Sequence, residues 1–333
     1  MKFRLALAML GSALLVVSSI AFAQQPIVIK FSHVVAVDTP KGKAAEYFKK
    51  LAEERTKGRV KVEVYPNSSL FKDGEEMEAL QLGSVQMLAP SLAKFGPLGV
   101  REFEVFDLPY VFDNFEELHK VTEGPVGAAL FKKLESKGLI GLAYWDNGFK
   151  VMSANKPIRV PADYKGLKMR IQSSKVLGDE IKALGAIPQV MAFSEVYQAL
   201  QTGVVDGTEN PPSNFYTQKM QEVQKYLALT DHGVIEYAVI VNKKFWDGLP
   251  ADIRTTLQGA MNDATKYANG IAKKDNDDAL EAVRKSGKTE ILTLTPEQKA
   301  AMKKALVTVH KENESRVGKD TLAAVYKETG FKP

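Results

Sequence analysis

"PIVIKFSHVVAVDTPKGKAAEYFKKLAEERTKGRVKVEVYP", residues 26–66, is the stretch that decides the fold. An apolar run ending near His33 predicts one strand, and "VKVEVYP" predicts a second. Between them, Asp38 or Thr39 can cap a helix, Pro40 suits its first turn, and apolar residues recur at helical spacing. Strand, helix and strand at these intervals indicate an α/β fold built from βαβ units, with a largely parallel sheet.

The length and composition favour two domains of ordinary globular type. The chain has 333 residues, of which 45% are hydrophobic and 26% are charged. This length is too great for one comfortable core. The net charge of +5 is spread over well-mixed charges without a strongly basic run, so no nucleic-acid partner is expected. A small acidic ligand is compatible with this balance.

The N-terminus has the three parts of a secretory signal peptide. Residues 1–23 contain Lys2 and Arg4, then an apolar run from Leu5 to Val17, and end in a small-x-small site at Ala23. The alternative is a transmembrane anchor, but the apolar run is short for a span. We therefore predict cleavage after Ala23 and a soluble, periplasmic protein. The chain has no Cys and hence no disulfide.

Two later segments contain the same pattern, A-L-Q-x-G. They are "EEMEALQLGSVQMLAPSL" (75–92) and "SEVYQALQTGVVDGTENPP" (194–212), and each predicts a short helix that stops at a glycine, Gly83 or Gly203. Convergent helix-stop chemistry could explain so short a match. It also fits two lobes of similar plan, one before about residue 148 and one after.

Each of these segments continues into a strand whose end could meet a ligand. Ser91 and Asn210 then lie at comparable places on opposing lobes, at the carboxyl ends of strands where ligands of open α/β sheets collect. Pro211 and Pro212 fix the backbone just after Asn210. This stiff loop either presents the Asn210 amide to a ligand or forms a turn in which the amide bonds its own backbone.

The stretch "GLKMRIQSS", residues 166–174, alternates apolar and polar residues as a strand does. Its polar face carries Arg170, and Gln172 shares that face. From the residues alone, Arg170 either faces a ligand or makes a surface ion pair.

A long helical pattern begins at Pro250 and continues towards about Lys285. A helix of that length exceeds one ordinary domain and could brace both lobes. The tail from Thr295 is helical by its cap and its period.

Local signatures of enzymes are missing from the sequence. The four His residues are scattered, and there is no H-E-x-x-H motif and no Cys to complete a zinc site. Glycine-rich dinucleotide loops, Walker loops and G-x-S-x-G elbows are missing as well. Carboxylates could still converge from distant positions, but the balance favours binding, and we expect no metal and no cofactor.

Three stretches together resemble one family. "GLKMRIQSSKVLGDEIKALGAIPQVMAFSEVYQALQTGVVDGTENPP" (166–212), "IKFSHVVAVDTPKGKAAEYF" (29–48) and "YPNSSL" (65–70) are similar to the extracytoplasmic solute-binding subunits of tripartite ATP-independent periplasmic (TRAP) transporters, in their DctP-type, C4-dicarboxylate-binding branch. The similarity covers the chain from about Ile27 to the C-terminal helix. It implies a two-lobed periplasmic binding protein fold, with hinge strands and a long helix that spans both lobes.

The resemblance also implies ligand-binding residues. In the family an Arg on this strand grips the ligand carboxylate, which corresponds to Arg170, and the Asn before Pro corresponds to Asn210. Phe193 in "MAFSE" corresponds to a pocket wall. A second basic residue, in "WDNGFK", is usually Arg in the wider family and is Lys150 here. A guanidinium matches a carboxylate with two parallel hydrogen bonds, which Lys cannot do.

The distal end of a dicarboxylate has several candidate partners. Ser91 and Gln172 are the better placed, at the end and on the polar face of their strands. His33 ends the first strand but could equally be a core histidine. Lys41 lies in the first turn of a helix whose amides favour anions, or it is simply solvated.

We therefore predict a periplasmic protein that captures malate, succinate or fumarate by hinge closure and delivers it to the small and large membrane subunits of the transporter. The expected division is a signal peptide (1–23), lobe I (24–147 plus 236–275) and lobe II (148–235 plus 276–333), in a monomer. The alternatives are a binder of another organic acid (a monocarboxylate, 2-oxo acid or sugar acid) and a periplasmic enzyme acting on an organic acid.

Overall fold

The structure is a computed structural model that describes residues 25–333. The predicted signal peptide, residues 1–23, lies outside these residues. Within them, no helix combines the length and the apolar character needed to cross a membrane.

Eleven strands and twelve α-helices are assigned in the described residues. The strands are β1 (Ile27–Ser32), β2 (Val60–Tyr65), β3 (Met87–Leu88), β4 (Leu139–Phe149), β5 (Val151–Ala154), β6 (Lys168–Ile171), β7 (Ile187–Val190), β8 (Gly207–Asn210), β9 (Tyr226–Leu229), β10 (Val234–Asn242) and β11 (Glu290–Thr293). The helices are α1 (Pro40–Arg55), α2 (Glu76–Leu82), α3 (Phe115–Thr122), α4 (Pro125–Leu134), α5 (Lys175–Ala183), α6 (Val196–Thr202), α7 (Pro212–Thr217), α8 (Lys243–Asp247), α9 (Ala251–Ser286), α10 (Pro296–Leu306), α11 (Thr308–Val317) and α12 (Lys319–Thr329).

The strands form two sheets, each the centre of one lobe. The first lobe has the strand order β2-β1-β3-β10-β4, and the second lobe has the order β11-β9-β5-β8-β6-β7. Apolar side chains pack on both faces of each sheet, with the helices outside. The predicted two-lobed α/β fold is confirmed.

Helix α1 forms where the sequence predicted it. The Thr39 side chain accepts a hydrogen bond from the Gly42 N–H at 3.1 Å, and Pro40 occupies the first turn. Its apolar stripe, including Phe48, packs under β1 and β2. The A-L-Q-x-G helices also end as predicted, because Gly83 and Gly203 adopt left-handed φ values of 79° and 74°.

The sheets are mixed rather than largely parallel, and here the sequence-based expectation was wrong. β1 pairs in parallel with β2 and β3, but β10 is antiparallel to both β3 and β4. In the second lobe, β5 is antiparallel to β8 and β9. The reason is that β4 leads the chain out of the first lobe and β10 leads it back, so these neighbouring strands run in opposite directions.

The chain crosses between the lobes at adjacent points. Lys150 alone separates β4 from β5, and residues 230–233 separate β9 from β10. The two crossings touch, since the Lys150 N–H donates to the Gly233 carbonyl at 2.8 Å. They provide the hinge strands that the family resemblance implies.

Helix α9 is 36 residues long and contacts both lobes, as predicted. Against the first lobe, the Trp145 indole donates to the Thr265 hydroxyl at 2.9 Å. Near the crossing points, the Asn276 amide donates to the Asn147 carbonyl at 2.6 Å and accepts from the Ser213 N–H at 2.9 Å.

The C-terminal helices divide between the lobes. Helix α10 packs against α5 of the second lobe, whereas α12 packs against α3 and α4 of the first lobe. Leu322 and Val325 of α12 belong to the first lobe's core. The lobe boundaries remain a prediction, and α12 lies on the first lobe although the sequence placed its residues in the second.

Candidate ligand-binding cleft

A small cavity lies between the two lobes. The first lobe contributes Val34, Val35, Lys41, Asp73, Ser91, Lys94, Ile235 and Tyr237, and the second lobe contributes Arg170, Gln172, Phe193, Asn210 and Asn214. Five of the seven predicted site residues therefore meet at one cavity. The other two, Lys150 and His33, do not line it.

Arg170 is held in a fixed orientation on β6. Its Nε and Nη2 donate to the Met191 carbonyl at 3.0 and 2.8 Å, and the guanidinium lies 5.6 Å from the centre of the Phe193 ring. The side chain is 2% exposed, and among the described residues no carboxylate lies within 4 Å of it. Burial lowers the pKa of Arg170, although Asp73 opposes this. The result is a desolvated guanidinium at the cavity without a close counter-charge.

Asparagine side chains contribute amides to the same wall. Asn210 ends β8, and its Nδ2 donates to the Thr208 hydroxyl at 3.2 Å. The Nδ2 of Asn214 donates to the Tyr237 hydroxyl at 3.3 Å, while its Oδ1 is buried and has no partner in the described part of the protein. These polar groups fit a ligand rich in oxygen atoms.

Polar contacts join the lobes around the cavity. The Phe193 N–H donates to the Asp73 carboxylate at 2.6 Å, the Ser91 hydroxyl donates to the Gln172 side chain, and Lys72 pairs with Glu195 at 3.1 Å. Each contact has one partner in the first lobe and the other in the second. The structure is therefore the closed arrangement of the two lobes.

Two lysines of the cavity wall differ in their partners. Lys94 pairs with Asp73 and, at 2.5 Å, with Glu76. Burial alone would lower the pKa of Lys94, but these two carboxylates raise it above its usual value. Lys41 instead donates to the Ala89 carbonyl at 2.9 Å and lies 3.6 Å from the centre of the Tyr237 ring.

Sequence reasoning missed Asp73, Lys94, Asn214 and Tyr237. Lys94 had a usable signal, since "SLAKFGPLGV" surrounds it with apolar residues and a lysine in such a run is often buried and paired. Asp73 had no local signal, because its partner Phe193 is 120 residues away.

His33 is buried at the end of β1, and neither ring nitrogen has a hydrogen-bond partner in the described structure. Burial and the neighbouring Lys41 lower its pKa to about 3, so the ring is neutral. Its position fits the core histidine that the sequence left open as the alternative, and a ligand role for it stays a prediction.

Lys150 belongs to a group of ionisable residues behind the cavity, which we call the buried cluster: Asp107, Lys150, Glu180, Glu209 and His232. The Lys150 ammonium donates to Glu209 at 2.6 Å, and the His232 Nε2 lies 2.9 Å from Glu209 and 3.3 Å from Glu180. Lys150 thus lies next to the cavity with its charge already matched. A direct ligand contact by Lys150 remains a prediction.

Carboxylates of the buried cluster differ widely in pKa. Burial alone would raise the pKa of Glu209, but Lys150 and His232 lower it to about 2. Burial raises the pKa of Glu180 and of Asp107 to about 8, with Lys150 opposing both shifts. The cluster therefore favours the ionised form of Glu209 and the protonated forms of Glu180 and Asp107.

The buried cluster also offers three metal-type ligands, since atoms of Glu180, Glu209 and His232 lie within 4.8 Å of one another. However, the Lys150 ammonium already lies where a cation would bind Glu209. We therefore describe this cluster as an ion-pair network rather than a metal centre.

Comparison with known proteins adds to this geometry. Residues 31–316 match the model of the DctP family, "Bacterial extracellular solute-binding protein, family 7". The C4-dicarboxylate-binding periplasmic protein DctP of Rhodobacter capsulatus is 65% identical over 315 residues, which covers 95% of each chain.

Two similar crystal structures contain bound dicarboxylates. A TRAP periplasmic solute-binding protein of Sulfurospirillum deleyianum with bound succinate is 47% identical, with a TM-score of 0.88, and the match covers 91% of this chain and 99% of that one. One of Pseudomonas aeruginosa with bound L-malate is 44% identical, with a TM-score of 0.84 and coverage of 86% and 100%. With a family match over most of its length and relatives this similar, the chain belongs to the DctP family, family 7 of the bacterial extracellular solute-binding proteins.

Proposed function

We propose that this protein captures a C4-dicarboxylate such as succinate, malate or fumarate in the cavity between its lobes, and that Arg170 binds one carboxylate. The observation that carries the proposal is the state of Arg170, which is buried and oriented by the Met191 carbonyl and has no carboxylate of residues 25–333 within 4 Å. A buried charge is costly unless it is paired. A ligand carboxylate supplies that pair with two parallel hydrogen bonds.

Other wall residues complete the proposed site. Asn210 and Gln172 offer amides, Ser91 offers a hydroxyl, and Phe193 forms an apolar wall beside the guanidinium. The cavity is small and lined mostly by polar and charged side chains, which favours a small, oxygen-rich ligand. Succinate and L-malate, bound in the two similar structures, are such ligands.

Binding is coupled to closure in this proposal. The ligand stabilises the closed arrangement because its partners, like the contact between Asp73 and Phe193, come from both lobes. The closed protein then delivers the dicarboxylate to the small and large membrane subunits of a TRAP transporter. The description of the two similar structures as TRAP solute-binding proteins supports this last step.

Ligand titrations of wild type and Arg170→Met test the proposal. Succinate, L-malate and fumarate should each raise the melting temperature of the wild-type protein, since they bind only the folded state. Two charge-assisted hydrogen bonds contribute about 1.5–3 kcal/mol each, so Arg170→Met should weaken succinate binding by roughly 100-fold or more in calorimetry. Arg159→Met, a half-exposed arginine of the same lobe, is the matched control and should bind normally.

A panel with a monocarboxylate, a 2-oxo acid and a sugar acid separates the alternative ligands, and NMR of the incubated acids detects any turnover. Near-native succinate affinity in Arg170→Met would show that the carboxylate is held elsewhere. A larger shift with one of the other acids than with every C4-dicarboxylate would refute the proposed ligand class.

A further inference from the structure

The cavity wall carries three buried cations with different degrees of charge compensation. Lys94 is matched by Asp73 and Glu76. Neither Lys41 nor Arg170 has a carboxylate within 4 Å among the residues that the structure describes. These two cations come from opposite lobes, Lys41 from α1 and Arg170 from β6.

Lys41 is fixed in place by the start of α1. At the next residue, a Cβ on Gly42 would lie 2.3 Å from the Ala36 carbonyl, so glycine is needed for the close approach of the preceding loop. This packing holds the Lys41 side chain inside the protein, at 1% exposure. The single hydrogen bond of its ammonium, to the Ala89 carbonyl, leaves two N–H donors free.

A buried ammonium without a counter-charge is a costly arrangement in a folded protein. The Tyr237 ring offsets part of this cost through a cation–π contact at 3.6 Å. The first-turn amides of α1 add a positive potential at the same place. An anion in the cavity would relieve the remaining imbalance.

We propose that Lys41 binds the second carboxylate of the ligand, so that one dicarboxylate joins Arg170 of the second lobe to Lys41 of the first. This inference rests on the proposed function and adds a specificity determinant to it. A monocarboxylate would leave Lys41 unmatched, and a hydroxyl of a sugar acid cannot neutralise it. The site therefore selects diacids, and the diacid itself bridges the lobes.

The surroundings of Lys41 give this contact a pH dependence. Burial, helped by Lys94, lowers the pKa of Lys41 to about 7, while Glu76 and Asp73 oppose the shift. Of the other groups that face it, His33 is neutral with a pKa lowered to about 3, and burial raises the pKa of Tyr237 far above neutrality.

Asp73 and Lys94 stay charged, since their pair lowers the pKa of Asp73 to about 2 and raises that of Lys94. Burial raises the pKa of Glu76 despite Lys94. A bound carboxylate raises the pKa of Lys41, so binding above pH 7 takes up a proton and succinate affinity falls as the pH rises.

The test is calorimetry with succinate and with its monoamide, succinamate, which lacks the second charge. Wild type should prefer succinate by roughly 10- to 100-fold, the equivalent of one charge-assisted hydrogen bond. In Lys41→Met, succinate binding should weaken by about the same factor, while succinamate binding changes less than about threefold, so the preference disappears. Lys43→Met removes a half-exposed lysine of the same helix, paired with Asp275, and should keep the preference.

The outcomes separate the two proposals. If wild type binds no dicarboxylate, the proposed function fails. If Arg170→Met loses succinate but Lys41→Met keeps both the affinity and the preference, the function stands and the role of Lys41 is overturned.

If Lys41→Met does not fold, the role of Lys41 is tested on the wild type. Calorimetry at pH 8 in two buffers of different ionisation enthalpy measures how many protons the protein takes up when succinate binds. Uptake of roughly half a proton or more per succinate supports the inference, and no uptake overturns it.

Discussion

The cavity and the buried cluster behind it have opposite charge imbalances. In the cavity, Lys41 and Arg170 have no carboxylate within 4 Å in the described structure. In the cluster, Lys150 pairs with Glu209, whereas no lysine or arginine in the described part of the chain lies within 4 Å of Glu180 or Asp107. The difference teaches that a buried lysine or arginine near a cleft is not in itself a ligand group. We therefore base the proposed role of each cation on the partner that it already has.

In the buried cluster, protons neutralise the carboxylates that have no lysine or arginine partner. In the cavity, we propose that the carboxylates of a bound acid neutralise the cations. At pH 7 Glu180 and Asp107 are protonated, because burial raises the pKa of each to about 8. Lys150 and Glu209 then form a balanced pair. In the cavity, Arg170 keeps its charge at pH 7 and burial lowers the pKa of Lys41 to about 7, so we propose that the carboxylates of a diacid hold both side chains in the charged form.

The strongest test of this difference is to replace each cation in turn and to measure the free energy of unfolding of the unliganded variants. Lys150→Met leaves Glu209 buried without its lysine and should lower the free energy of unfolding by about 3–5 kcal/mol. Arg170→Met removes the hydrogen bonds to the Met191 carbonyl together with a buried charge that has no close partner, so it should lower the free energy of unfolding by no more than about 1 kcal/mol. Urea unfolding monitored by circular dichroism measures both.

The double variant Lys150→Met with Glu209→Gln is the control, because it removes both charges of the pair. It should recover much of the stability lost in Lys150→Met, which marks the two residues as coupled. Equal destabilisation by Lys150→Met and Arg170→Met would remove the distinction between the two regions.

A smaller effect concerns the protons of the cluster. The folded-state pKa of Glu180, about 8, lies above its unfolded value, so the folded state holds a proton that the unfolded chain has released. The stabilisation is complete below the unfolded pKa and is lost as the pH rises through about 8. Glu180→Gln keeps the neutral form and should flatten this decline, as measured by urea unfolding from pH 5 to 9.

Asp107→Asn should flatten the same decline, because burial raises the pKa of Asp107 in the same direction. Glu195→Gln, on the surface, should leave the pH profile of stability unchanged. An unaltered profile in both cluster variants would show that these carboxyls are ionised in the folded protein.

The smallest expected effect tests the contacts that join the lobes. Ser91→Ala removes the hydrogen bond to Gln172 across the closed cleft and should weaken succinate binding by about 2- to 10-fold, since one neutral hydrogen bond contributes about 0.5–1.5 kcal/mol. Lys72→Met removes an exposed ion pair with Glu195 and should change the affinity less than about twofold. A larger effect of Lys72→Met than of Ser91→Ala would show that the ion pair of Lys72 with Glu195 stabilises the closed arrangement more than the hydrogen bond of Ser91 with Gln172 does.

Much of the fold was readable from local patterns. The cap at Thr39, the glycine stops at Gly83 and Gly203 and the period of α9 are properties of short segments, and the structure confirms them. The motif around Arg170 pointed to the family, and the comparisons confirm it together with a non-enzymatic, periplasmic solute-binding protein.

The rest depended on contacts between distant parts of the chain. The antiparallel pairing of β4 with β10 follows from the return of the chain, which no local pattern encodes. The ion pair of Lys150 with Glu209 could not be read from a local pattern, because Glu209 is 59 residues away. Lys41 looked equally suited to solvent, because Ala89 and Tyr237, which contact its ammonium in the folded protein, are distant in the sequence.

Helix α9 has a mechanical consequence. Because both lobes pack against one continuous helix, with Asn276 hydrogen-bonded to Asn147 and Ser213, we expect the lobes to rotate relative to each other rather than to separate by translation. The expected motion is a rotation of one lobe about the crossing points, which act as the pivot beside helix α9. Displacement grows with distance from the pivot, so for a given rotation the contacts between the lobes that lie farther from the crossing points separate more.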